Sequence, residues 1–375
     1  MSRFLTCLNA QTVVDRLHKK GLVDEKGAQE IGATVQKLSA ERELPVYLRI
    51  LSGIGAVIAT GCLMGFLGIT GVISLKSSIE CVLWGTLFIA NAIVLLKRAE
   101  KSGVTANSFL MQLSFCSMGV GKTLFVLAAG TADIWRHFEI WPLALTLAAV
   151  TAVTWPFYRL SIDRFASSFG VLMLLFAALF DDRSFNVSVS SLLMNALVMA
   201  EIAAAAVIFT SGRVARDWRP LGYALLSSLA VKVSMISFGI FEHSYSSGIG
   251  LSAGVVSIML AITLVGLIGW AADGLDKLRE GPLSLACLGA LLLAALGQPG
   301  LLFSIILMVL GYARHDRLLL IAGALVMPVF IWAFYYHMKV TLLVKAGIMV
   351  LSGIVLLSGW AYMAARNLNK ELEIC

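Results

Sequence analysis

From Val46 to Met363, apolar runs of roughly bilayer-spanning length alternate with short polar gaps. The runs cover residues 46–72, 79–96, 108–130, 140–157, 165–181, 191–210, 221–241, 251–272, 282–296, 300–313, 318–336 and 341–364. A helix needs about 20 residues, range about 17–25, to cross a hydrocarbon core. Most of the runs qualify, and the ninth and tenth are short. The pattern predicts an all-α, polytopic helical integral membrane protein with about twelve transmembrane helices. The short pair, joined only by Gly297-Gln298-Pro299-Gly300, leaves a second solution of ten spans plus a re-entrant hairpin. Twelve is favoured, because a lipid-exposed turn inside the bilayer leaves backbone groups unsatisfied.

The gaps decide orientation. With a cytoplasmic N-terminus, the inside gaps and tail hold Lys97, Arg98, Lys101, Arg159, Arg164, Arg213, Arg216, Arg219, Lys277, Arg279, Arg314, Arg317, Arg366 and Lys370. The outside gaps hold only Lys76, Arg136, Arg183 and Lys339. This asymmetry places both termini in the cytoplasm. The chain then divides into a cytoplasmic hairpin (residues 1–45), a transmembrane bundle (46–364) and a cytoplasmic tail (365–375). In the hairpin, Ala10, Val13 and Leu17 share one helical face, as do Ala28, Ile31, Val35 and Leu38. That apolar face is too small to fold alone, so it is expected to dock on the membrane domain, a partner or a second copy. Residues 1–20 contain Asp15, Arg16, Lys19 and Lys20 and no apolar core of a cleavable signal.

Composition agrees with this picture. Hydrophobic residues make up 59% and charged residues 14%, against about 25% charged in ordinary soluble domains. The net charge of +7 suggests nucleic acid only until it is located. Residues 1–45 carry seven Lys and Arg against six Asp and Glu, and the excess lies in the loops, where topology explains it. Six cysteines, none in a CxxC pair, read as small buried hydrophobes rather than a disulfide frame or zinc site. The eight tryptophans fall near predicted span ends, as an aromatic belt requires. No internal repeat is evident.

Charges inside the apolar runs are the candidate chemistry, because hydrocarbon tolerates them poorly. Glu201 in the sixth run and Lys232 in the seventh lie at matching depth on sequential antiparallel spans. Pairing would remove most of the cost of each. A structural clip is the favoured meaning, ahead of a proton or ion relay. Lys122 lies about eight residues from the outer edge of the third run, where it either snorkels or faces a polar cavity. Gln298 is a weaker candidate for a polar lining. Lys345 is close enough to a span end to snorkel, Phe334-Tyr335-Tyr336-His337 reads as belt, and Asp181 and Asp182 read as solvated. The sequon Asn186-Val187-Ser188 carries little weight. Gly119-Val120-Gly121-Lys122-Thr123 resembles the end of a phosphate-binding loop, but Cys116 stands where the first glycine is required and the segment lies within an apolar run. Enzyme signatures are absent, so no catalytic, cofactor-binding or metal residues are expected, and no cofactor.

Several segments together carry a resemblance. PGLLFSIILMVLGYARHDRLLLIAGAL and FYYHMKVTLLVKAGIMVLSGIVLL in the C-terminal third, with SFLMQLSFCSMGVGKTLFVLAAG at residues 108–130, resemble a bacterial multispan membrane family known as domain of unknown function 4401. RLHKKGLVDEKGAQEI resembles the opening hairpin of a related family, domain of unknown function 2157. The chain departs from the family pattern at Lys122, where a glutamine is expected, and at Ala346, where a serine is. The resemblance implies a multi-pass protein of the bacterial cytoplasmic (inner) membrane, in contact with membrane lipid and without nucleic acid. It also implies a membrane-anchored protein encoded nearby, bearing a Gly-Asp-Tyr motif, as a partner, and supplies no catalytic residues. Two functions remain: a non-enzymatic scaffold or regulatory subunit, and a transporter or small-molecule-binding permease using the intramembrane charges.

Overall fold

The computed structural model describes residues 46–71, 77–100, 104–131, 140–181, 187–211, 215–239, 252–272 and 281–337, with helical positions at 343, 347, 350, 354 and 357. The N-terminal hairpin, the tail, Lys345 and most of the connectors in the charge count lie outside the described residues. Every regular element among the described residues is helical. In chain order these are α1 (Val46–Ile69), α2 (Ser78–Ala99), α3 (Val104–Thr131), α4 (Trp141–Thr154), α5 (Ser161–Asp181), α6 (Val187–Thr210), α7 (Ala215–Ser237), α8 (Ala253–Ala271), α9 (Gly281–Ala295), α10 (Pro299–Ala313) and α11 (Arg317–His337). They match the first eleven apolar runs one for one. Eight are long and apolar enough to cross a membrane, whereas α4, α9 and α10 are shorter apolar helices. The phosphate-loop-like segment lies wholly within α3.

The chain forms two compact units, residues 1–167 and 168–375, with the division inside α5. In the first, α3 is central and packs on α1, α2 and α4. The α2–α3 approach is set by glycine. A Cβ at Gly121 would lie 2.7 Å from Ile89 Cγ1 and 2.9 Å from the Gly85 carbonyl oxygen, and one at Gly85 would lie 2.9 Å from Phe125. Hydroxyls stitch the same seam. Ser114 donates to the Ala92 carbonyl at 2.7 Å and Ser117 to that of Phe88 at 3.0 Å. Lipid is as apolar as leucine, so small residues and interhelical hydrogen bonds are what hold such helices together. Ser114 also bonds the Tyr158 hydroxyl at 2.9 Å in the α4–α5 turn, where burial pushes the phenol up to about 12.

In the second unit, α6, α7, α10 and α8 close a ring of four. Both α7 and α8 pack on α6, and α10 packs on both of them. Helix α9 lies on α8 and α10, and α11 on α10 and α7. The ring encloses a core that includes Leu229, Leu260, Leu264, Leu302 and Phe303, each at most 2% exposed. Turn chemistry makes the hairpins tight. Gly297, at φ 65°, closes α9 in a Schellman motif: its N–H bonds the Ala294 carbonyl, and the Gln298 N–H reaches back to Leu293. Pro299 then opens α10, where its missing N–H costs nothing. His315, at φ 53°, ends α10 in the same way, and Asp316 caps α11 by accepting from the Leu318 N–H at 3.1 Å.

The glycine seam gives a test. Gly121→Leu should lower stability by about 1–3 kcal/mol, the usual cost of overpacking, read as a fall in melting temperature in detergent. Gly61→Ala, where a Cβ meets nothing within 4 Å, should leave it unchanged.

Candidate functional site: two buried ion pairs

Helices α6 and α7 carry Glu201 and Lys232 into contact. The Lys232 ammonium donates to Glu201 Oε1, and Ser228, one turn earlier on α7, approaches the same oxygen at 3.5 Å. The ammonium also lies 5.2 Å from the centre of the Phe176 ring, a cation–π contact that adds stabilisation where water is excluded. Glu201 is 2% exposed and Lys232 and Ser228 are fully buried. The pairing expected from matched depth on sequential spans is present. Glu201 Oε2 is buried without a hydrogen-bond partner.

Lys122 neither snorkels nor faces a polar cavity. It is 4% exposed and ion-paired. Its ammonium is 2.7 Å from Asp163 Oδ2 and 2.7 Å from Ser167 Oγ, and Ser167 approaches Asp163 Oδ1 at 3.4 Å. The three groups close a triangle between α3 and the first two turns of α5. The apolar run begins at 165, which leaves Asp163 among the polar connectors. The helix begins at Ser161, so Asp163 is in its first turn, aligned with the helix dipole. The neighbouring Arg164 turns elsewhere, donating to the Trp155 carbonyl at 2.9 Å with its guanidinium 4.7 Å from that ring's centre.

Gln298 lies in the α9–α10 turn. Its amide donates to the Leu296 carbonyl at 3.3 Å within its own turn. The sequence also concealed a cluster at the opposite end of α10. There, Tyr223 donates to the Asp316 carboxylate, and Arg314 donates to the Phe209 carbonyl while lying 5.3 Å over Trp270. These bonds clamp α6, α7, α8 and the α10–α11 turn. Among the described residues no group of three or more His, Cys, Asp or Glu gathers as a metal site would. His337 and Asp182 lie outside the side chains described.

A chain of many apolar helices is what the resemblance of the C-terminal segments pointed towards. A family model, Domain of unknown function (DUF4401), matches residues 45–365. The chain belongs to this family. The match takes in both ion pairs and all eleven helices, and begins after the segment RLHKKGLVDEKGAQEI, so it does not extend to the second resemblance. No curated protein and no solved structure matches the chain. The DUF4401 region of this chain thus contains two enclosed Lys–carboxylate–Ser clusters, one in each unit.

Each cluster should behave as a coupled clip. Glu201→Gln or Lys232→Met alone should cost about 3–5 kcal/mol, because a buried charge loses its partner, and the double variant should recover most of that loss. The same cycle on Lys122→Met and Asp163→Asn should give coupling of similar size. Thermal unfolding of the purified protein reads both; additive losses in either cycle would remove the clip.

Proposed function

We propose that the protein is a non-enzymatic scaffold or regulatory subunit of the bacterial cytoplasmic membrane, with both termini cytoplasmic, that acts through a membrane-anchored partner. The observation that carries this reading is α1. Only 11% of its spanning window is buried, against 44% for α7 and α8. Four of its five glycines face open space: a Cβ at Gly55, Gly61, Gly65 or Gly68 would meet nothing within 4 Å, whereas one at Gly53 would touch Gln112. Gly61-Cys-Leu-Met-Gly65 has the GxxxG spacing that lets a second transmembrane backbone approach closely. Beside it runs an apolar groove of about 480 Å³, lined by Thr60, Gly61 and Met64 of α1 and Gly119 and Thr123 of α3. We assign this face to a single transmembrane helix of the partner.

The ion pairs fit the same reading. Carboxylates and ammoniums held at 0–6% side-chain exposure neutralise each other and fix helix register, which is what a scaffold needs. The transporter reading draws instead on the broken α9–α10 pair, since discontinuous helices mark substrate sites in many carriers.

Full-length tagged protein, extracted in mild detergent from its own membrane and analysed by mass spectrometry, should bring down one stoichiometric membrane-anchored companion. Gly61→Leu with Gly65→Leu should release that companion while leaving the melting temperature unchanged. A lone monomer that supports solute flux in liposomes would reverse the assignment.

A further inference from the structure

We propose that the first unit holds a phospholipid headgroup inside the membrane, beneath the α4–α5 turn, with Arg159 on its phosphate. The depth of that turn follows from register. Helix α2 sets the scale: about 30 Å of rise separates Ser78 from Arg98, the thickness of a hydrocarbon core. Ser78 bonds Thr131 at 3.0 Å, so the start of α2 and the end of α3 meet at one edge. Helix α4 starts at that edge, since a Cβ on Gly130 would lie 3.3 Å from Leu143 Cδ2. From Leu143 to Thr154, where the helix ends, the rise is only about 16 Å, and any tilt shortens the descent. Two side chains fix the bottom of the hairpin independently. Tyr158, in the turn, bonds Ser114, and Ser114 bonds the Ala92 carbonyl, about 9 Å from Arg98 along α2. Asp163, in the first turn of α5, pairs with Lys122, which stands about 12 Å further along α3 than Ser114. The turn therefore lies roughly 10 Å inside the plane of Lys97 and Arg98.

Hydrocarbon at that depth does not tolerate what the turn carries. Backbone outside a helix is admitted there only where protein or water satisfies it. Part of the demand is met from within, because Arg164 donates to the Trp155 carbonyl at 2.9 Å. Arg159 is different. It is exposed, and close to it in the chain stand Val153, Phe157 and Ile162, which are 67%, 65% and 62% exposed. A guanidinium among open apolar side chains is an amphipathic surface. Water alone would satisfy the cation and leave the apolar groups wet; acyl chains alone would do the reverse. A phospholipid meets both needs. Its phosphate accepts from the planar fork of the guanidinium, and its chains cover Phe157 and Ile162. Snorkelling of Arg159 covers part of the depth, and thinning of the leaflet under the turn supplies the rest. The first unit is thus about 30 Å thick across α2 and α3 and about 20 Å thick across α4.

The depth is read by spin-label accessibility in phospholipid vesicles, on full-length protein whose six cysteines are replaced by alanine. Ser161→Cys, exposed beside the turn, should collide with a water-soluble nickel chelate as readily as Lys97→Cys. Leu87→Cys, exposed in the middle of α2, should meet oxygen instead. Arg159→Gln should bring Ser161→Cys down to the Leu87→Cys value, and Arg159→Lys should keep it high. A Ser161→Cys label that behaves like Leu87→Cys beside native Arg159 would sink the proposal. So would nickel access indifferent to Arg159→Gln, the mark of water without lipid. The protein with its native cysteines gives a second readout should that background fail to fold. Its native mass spectrum in detergent should show one phospholipid retained, lost in Arg159→Gln and not displaced by inorganic phosphate. Displacement would assign the site to the free ion, and equal retention in the variant would assign the lipid to the general annulus; either result overturns the site. Neither readout involves the partner helix proposed above.

Discussion

An ammonium group cannot stay unpaired in hydrocarbon. Even the gentlest scales charge about 2.5–3.5 kcal/mol for a lysine at mid-helix, and this chain places two there. The packing around them follows from that one demand. Lys232 needs a carboxylate on a neighbouring helix, which fixes the register of α7 against α6. Through Phe209, Tyr223 and the Arg314 clamp, that register extends to α8 and α10. Lys122 makes the same demand of α5, and Asp163 meets it. Since burying helix against helix brings little hydrophobic gain in lipid, polar anchors of this kind carry more of the specificity than they would in water.

How far this was legible in the sequence depended on where each partner lay. Glu201 and Lys232 both fall inside unbroken apolar runs on consecutive helices, so counting residues from the shared connector brought them to one depth. Asp163 was hidden because an apolar run is cut at its first charge, and the first turn of α5 went to the connector. The glycine-dependent α2–α3 seam was equally hidden. Gly85 and Gly121 look like any other glycines in a sequence, and only the neighbouring helix shows that a methyl group has no room. Helix limits followed hydropathy only approximately: α3, α5 and α6 begin four residues before their apolar runs, and α7 six. Gly297 and Pro299 announced the stop and restart between α9 and α10. At the other end of α10 the αL position is filled by His315, which carries no such signal.

Helices α9 and α10 show why span counting has a natural limit. Each has fifteen residues, about 22 Å of rise, and their turn is stitched by its own backbone bonds. A turn that satisfies its own polar groups can end short of the headgroups. Hydropathy detects two apolar segments there but not the depth at which they meet.

The two clips join residues 41 and 31 positions apart, and this separation bears on how the chain enters the membrane. As synthesis proceeds from the N-terminus, Glu201 reaches the insertion machinery while Lys232 is still unmade, and Lys122 precedes Asp163 in the same way. Neither early charge is neutral until its mate arrives. Release of α6 together with α7, and of α3 only once α5 has begun, would spare each charge a passage through lipid alone, a cost of about 2.5–3.5 kcal/mol.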